Sequence, residues 1–152
     1  MRWARRKVHC ALLLALLPAC ALSACAAKQG NEHDGPTPNA LWAFIDPGAV
    51  TVDSTVLDIG VQRSGCADGF TGEVADAQVV YEQERIVVNM SVEPIDAGPH
   101  DCQDNETVPY QLNLEEPVGN RQLVDGGCAD SSLSGTTACI DGGVRWKPEA
   151  GS

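Results

Sequence analysis

Past residue 40 glycine, proline or aspartate interrupts most of the chain, residues 77–93 being the long exception. No stretch of about a dozen residues keeps apolar side chains at the i, i+3, i+4, i+7 spacing of a helix. What recurs is short, β-branched and alternating. Residues 55–62 (TVLDIGVQ) put Leu57, Ile59 and Val61 on one face, with Asp58, Gly60 and Gln62 on the other. Residues 85–92 set Ile86, Val88, Met90 and Val92 against Val87, Asn89 and Ser91. Successive side chains of a strand point to opposite faces, so each segment has one face to bury. Ala77 to Tyr81 joins the second segment through the charged turn Glu82-Gln83-Glu84, as a hairpin. Val50 to Val52, Tyr110 to Leu114, Arg121 to Val124 and Gly143 to Lys147 bring the expected total to about seven strands. The pattern predicts an all-β domain over residues 41–148, a small two-sheet antiparallel sandwich, with a small barrel as the other arrangement it allows. It is immunoglobulin-like only in a loose sense, because no tryptophan lies between Cys66 and Cys102.

The N-terminus carries an address. Arg2, Arg5, Arg6 and Lys7 precede a mostly apolar stretch from Val8 to Leu22, the charged and apolar regions of an export signal over residues 1–24. The closing run Leu22-Ser23-Ala24-Cys25 resembles the bacterial lipobox, in which cleavage falls just before a cysteine that carries diacylglycerol. The rival run Leu17-Pro18-Ala19-Cys20 places a rigid proline beside the scissile bond and fits worse. The resemblance implies lipidation of Cys25 and a persistent two-chain membrane anchor, since a single acyl chain binds only reversibly. The location it implies is the extracytoplasmic face of the cell membrane. Residues 26–40 (AAKQGNEHDGPTPNA) are polar and interrupted by glycine and proline, so residues 25–40 read as the lipidated cysteine and a flexible tether, about 20 Å end to end. Residues 149–152 read as a tail.

Removing the signal takes away four of the ten basic residues and none of the twenty-one acidic ones, which carries the net charge from −11 to −15. Phosphate backbones repel such a surface, so nucleic acid is not an expected partner. Of the seven cysteines, Cys10 and Cys20 leave with the signal and Cys25 takes the lipid. Cys66, Cys102, Cys128 and Cys139 remain, and in an exported domain they read as two disulfides with three possible pairings. The short Ser/Thr-rich segment between Cys128 and Cys139 favours a bridge closing its own loop, which leaves Cys66 with Cys102 across a hairpin. Zinc fits poorly, with no close C-x-x-C pair and only His33 and His100 past the signal.

Catalytic signals are sparse. There is no G-x-S-x-G elbow, and Ser64 has no base near it in sequence. His100 is the one histidine of the folded region, and its neighbour Asp101 would point to the opposite face of an extended segment. Asp101, Asp104, Asn105 and Glu106 gather oxygen ligands of the kind calcium takes. They lack the D-x-[DN]-x-[DN]-G loop, and the expected state is solvated surface with no metal and no cofactor. Asp125-Gly126-Gly127 and Asp141-Gly142-Gly143 read as turns, and Trp42 and Trp146 as packing at the two ends of the core.

The order VLDIGVQRSGCADGFTGEV, then YEQERIVVNMSVEPIDAGPHDCQDNETVPYQLNLEEPVGNRQLVDGGC, then GGVRWKP resembles small lipoproteins of high-GC Gram-positive bacteria. In these a β-rich extracytoplasmic domain follows a lipobox. The shared features are a Gly-Cys after an early strand and an Asn…Pro…Leu…Pro-hydrophobic-Gly-x-Arg stretch. Here that stretch begins at Asn105-Glu106-Thr107-Val108-Pro109, one residue longer before its proline, and ends at Pro117-Val118-Gly119-Asn120-Arg121. The resemblance covers most of residues 55–148 and implies no catalytic residue. The expected role is a non-catalytic binding or envelope-associated domain, with an envelope or protein ligand. The alternative is an exported hydrolase, or hydrolase accessory, acting on cell-wall polymers through a pair of carboxyls.

Overall fold

The computed structural model describes residues 39–130 and 133–149. The signal segment, Cys25, the tether through residue 38, residues 131–132 and the end of the tail lie outside the described residues. Seven strands follow one another: β1 Ala40–Phe44, β2 Val56–Arg63, β3 Val74–Tyr81, β4 Arg85–Val92, β5 Val108–Asn113, β6 Gln122–Asp125 and β7 Val144–Trp146. Two short 3-10 turns, Pro47–Ala49 and Gly126–Ala129, interrupt them.

Six of the strands overlap the expected segments, β3 beginning three residues earlier at Val74 and β5 two residues earlier at Val108. The first does not: it is Ala40–Phe44, while Val50 to Val52 is loop. ALWAF is apolar on both faces and so shows no alternation to read. One face enters the core through Ala40 and Trp42, and the other floors a cleft. Asp46 ends this strand's run, because its carboxylate accepts the Gly48 N–H at 3.0 Å and caps the turn that Pro47 starts.

The strands hydrogen-bond into one open mixed sheet, in the order β5-β2-β1-β4-β6-β7, with β3 on the other edge of β4. One pair departs from the antiparallel plan: β6 runs parallel to β4, Arg85 to Val88 facing Gln122 to Asp125. The connection from β5 explains this. It is pinned by Leu114 N–H to Thr55 O and Gly119 N–H to Val52 O, buries Val118, and returns to the Glu84 end of β4. The chain therefore re-enters the sheet at the end where β4 begins.

β4 consequently carries three neighbours. β3 takes one edge; the other is shared by β6 along Arg85 to Val88 and by β1 at Met90 alone. Ala40, Trp42, Leu57, Ile59, Val61, Ile86, Val88, Met90, Leu112, Val118 and Leu123 form one core, with Tyr81, Tyr110 and Trp146 packed against it. Trp146 thus packs at the margin as expected, whereas Trp42 is fully buried and central.

Both disulfides pair as the spacing favours. Cys66–Cys102 ties the β2–β3 loop to the long β4–β5 strap, and Cys128–Cys139 closes its own loop.

Candidate functional site

The outer face of β1 and β2 is a shallow cleft of about 270 Å³. Leu41, Ala43 and Ile45 alternate with the inward Ala40 and Trp42, and Gly60 and Gln62 of β2 lie opposite Ala43 and Leu41. Thr107, at the end of the Cys102 strap, forms one wall. Ala138, inside the Cys128–Cys139 loop, and Arg145 form the other. Gly60 is required here: a Cβ on it would come within 2.5 Å of Thr107 Cγ2. Ile45, 59% exposed, leaves apolar surface at the open end. A cleft of this size takes a side chain or a small apolar group rather than a large ligand.

Two residues lining the cleft, Trp42 and Arg145, bond to a buried carboxylate, that of Asp125. Asp125, at the end of β6, faces Val88 across the parallel pair and sits where β1 diverges from β4. Its Oδ2 accepts the Trp42 N–H at 2.9 Å, the amide that β4 no longer pairs, and its Oδ1 accepts the Gly127 N–H at 2.9 Å. Arg145 Nη2 lies 2.6 Å from the same Oδ2, and Arg145 Nη1 donates to Ala138 O. Trp42 Nε1 donates to Val88 O at 3.2 Å. Burial pushes the Asp125 carboxyl above its ordinary value, against the pull of Trp42, Arg145 and Gly127. The run Asp125-Gly126-Gly127 is therefore more than a turn: its aspartate closes the fork in the sheet.

The sequence candidates in the strap separate. His100 does not meet Asp101. Its Nδ1 lies 2.7 Å from Asp68 Oδ2, and its Nε2 lies 2.9 Å from the Asp96 carbonyl. The hydrogen bond to Asp68, aided by the Asp96 carbonyl, raises the imidazole above its ordinary value. The same bond and the Asp101 N–H lower Asp68. Asp101 contributes its amide, at 2.6 Å from Asp68 Oδ1. Asp104 and Glu106 are exposed, as a solvated loop requires, but Asn105 corrects that reading. It is buried, and its Nδ2 donates to Arg63 O at 3.1 Å and Gly65 O at 2.7 Å, so its amide ties the strap to the end of β2 and the loop after it. Ser64 Oγ donates to Asn39 O at 2.9 Å, a backbone tie rather than a nucleophile–base pair. Among the described residues no three His, Cys, Asp or Glu side chains cluster as metal ligands.

Sequence reasoning missed Asp68, Asp125 and Arg145. Asp68 and His100 are 32 residues apart, and no local pattern links them. Asp125 offered a faint signal as a carboxylate directly after the apolar run Leu123-Val124, where a solvated turn residue looks the same. No family model, no characterised protein and no solved structure matches the chain.

Proposed function

We propose that this chain is a lipid-anchored extracytoplasmic protein whose β domain is a non-catalytic binding module held off the membrane by its tether. The observation that carries the binding reading is the β1–β2 cleft, walled on both sides by loops that disulfides hold in place. Among the described residues its one ionic side chain, Arg145, is already committed to Asp125 and Ala138, which suits apolar capture better than acid–base chemistry. The candidate base points the same way, because both nitrogens of His100 face acceptors. The anchor reading rests on Leu22-Ser23-Ala24-Cys25 after a charged and apolar segment, and the resemblance to small lipoproteins of high-GC Gram-positive bacteria stands beside it. Among the described residues no helix is long and apolar enough to cross a membrane.

We also read the sheet as two layers, β5-β2-β1 over β3-β4-β6-β7, turning where β1 gives way to β6 along β4. The shared core of Ile59, Val88 and Leu123 supports this.

The test is capture of envelope components by the mature domain, with Ala43→Trp as the control that fills the cleft. A component retained by the wild type and lost by Ala43→Trp supports the module; identical captures refute the cleft. Mass spectrometry of the N-terminus decides the anchor, which requires a diacylglyceryl thioether on Cys25.

A further inference from the structure

We propose that His100 and Asp68 form a pH-sensitive clamp. It pins the β4–β5 strap (residues 93–107) onto the β2–β3 loop (residues 64–73) and weakens when His100 loses its proton.

The geometry sets the protonation state. Asp68 Oδ2 and the Asp96 carbonyl oxygen lie 2.7 Å and 2.9 Å from the two ring nitrogens, and both oxygens are acceptors only. The imidazolium satisfies both contacts at once, because both of its nitrogens donate. A neutral ring has a single N–H: on Nδ1 it keeps the bond to Asp68 but loses the ionic attraction and turns the Nε2 lone pair on the Asp96 carbonyl, and on Nε2 it turns the Nδ1 lone pair on the Asp68 carboxylate. The clamp is broader than one bond. Asp68 Oδ1 takes the Asp101 N–H at 2.6 Å, the Asp68 N–H donates to Asp101 O at 3.1 Å, and Gln103 Nε2 donates to Asp68 O at 2.7 Å. Asp68 also holds a left-handed φ of 56°, a conformation uncommon outside glycine that aspartate adopts more readily than most residues.

The charged groups acting on the ring come from both sides of the junction. Asp68 belongs to the β2–β3 loop, and Asp96 to the strap itself. Both are acidic and both favour the imidazolium. The ring is 22% exposed, open enough to exchange its proton with solvent. Cys66–Cys102 joins the same two segments covalently, so opening is local: the strap loosens between Glu93 and Cys102 without leaving the domain. The clamp is complete while Asp68 is ionised and His100 is protonated. That window runs from below 3.8 to above 6.5, the ordinary values from which each is displaced. The clamp is tightest in mildly acidic solution and loosens as pH rises past the His100 midpoint. This holds whatever the β1–β2 cleft binds.

The experiment is an NMR titration of the folded chain with both disulfides intact. It follows the His100 ring shift and the exchange protection of the Asp101 amide, with β2 amides as the fold control. The expected result is a His100 midpoint above 6.5, and a several-fold fall in Asp101 protection over the same pH step while β2 protection holds. Asp68→Asn should return the midpoint towards 6.5, and His100→Gln should erase the step. A midpoint at or below 6.5, an Asp101 amide indifferent to the titration, or a step that survives His100→Gln overturns the clamp. Because Asp68→Asn and His100→Gln act on opposite partners, either variant alone suffices if the other fails to fold.

Discussion

Arg145 Nη2 meets Asp125 Oδ2 at 2.6 Å, and the Asp125 side chain has no solvent exposure while that of Arg145 keeps 14%. This contact holds the one place where the sheet changes partners. β4 gives its edge first to β6 and then to β1, and Asp125 supplies the acceptor that the Trp42 amide would otherwise lack. A carboxylate is suited to the position because three donors converge on it: two backbone amides and a guanidinium. Arg145 also lies over the Trp42 ring, 6.0 Å from its centroid, so the ion pair and the largest core side chain are one packing unit.

Removing either partner should therefore be costly. Arg145→Ala leaves a buried carboxylate without its cation, a change worth about 3–5 kcal/mol in buried pairs, with the lower end expected because Arg145 keeps some solvent. Asp125→Asn keeps the shape but turns an NH₂ towards one of three donors, with an expected loss of about 1–3 kcal/mol. Denaturant unfolding of both variants reads these losses. An Arg145→Ala variant as stable as the wild type would show that the pair has no structural weight.

Two glycines give opposite expectations for the same substitution. Gly143 has φ +77°, and a Cβ there would meet Asp125 O at 2.6 Å and Cys128 Cβ at 2.8 Å. Gly135, in the Cys128–Cys139 loop, has nothing within 4 Å. Gly143→Ala should cost about 1–3 kcal/mol through backbone strain, with the clash adding to it, and Gly135→Ala should lie within about 0.5 kcal/mol of the wild type. Thermal unfolding of the pair checks this, and equal melting temperatures would refute it.

How much of this was legible follows from how each signal is encoded. β2, β4 and β5 were readable because one face is apolar and the other polar, a pattern local to eight residues or fewer. β1 was not, because ALWAF is apolar on both faces and has no polar face to mark it. The disulfides were readable from spacing, since a short loop favours its own bridge. The parallel β4–β6 pair was not, because pairing between strands far apart is fixed by where the connection through Val118 lands. His100 drew notice as the sole histidine of the domain, but its partner Asp68 comes from another loop across the Cys66–Cys102 bridge. Asn105 looked like surface for a related reason: only the fold shows that two carbonyls, of Arg63 and Gly65, wait for its amide.

The two disulfides should open in a fixed order. Cys66 and Cys102 are exposed, whereas Cys128 and Cys139 are buried, so a limiting dose of phosphine should reduce Cys66–Cys102 first. In the chain-entropy model that bridge, spanning 36 residues, contributes about 4 kcal/mol, and the one spanning 11 residues about 3 kcal/mol. Alkylation with peptide mass spectrometry at rising phosphine reads the order. Early labelling of Cys128 and Cys139 would contradict it.

The pH dependence of stability decides which force governs Asp125. Its folded carboxyl is raised, first by burial and against the pull of Trp42 and Arg145. Between the ordinary 3.8 and the raised value, the native state holds more protons than the unfolded one, so this group lowers stability as pH rises through that window. Asp68 has the opposite sign: its carboxyl is lowered, so its contribution is present above 3.8 and lost as pH falls through the lowered value. Its side chain is 57% exposed and solvent screens it, so the buried group dominates. Unfolding free energies of the wild type and Asp125→Asn, measured from pH 3 to 8 and subtracted, isolate the buried carboxyl. The difference should move against the wild type as pH rises above 3.8 and then level off. If the attraction of Arg145 outweighed desolvation, the wild type would gain over that interval, and a curve of that sign would overturn the assignment.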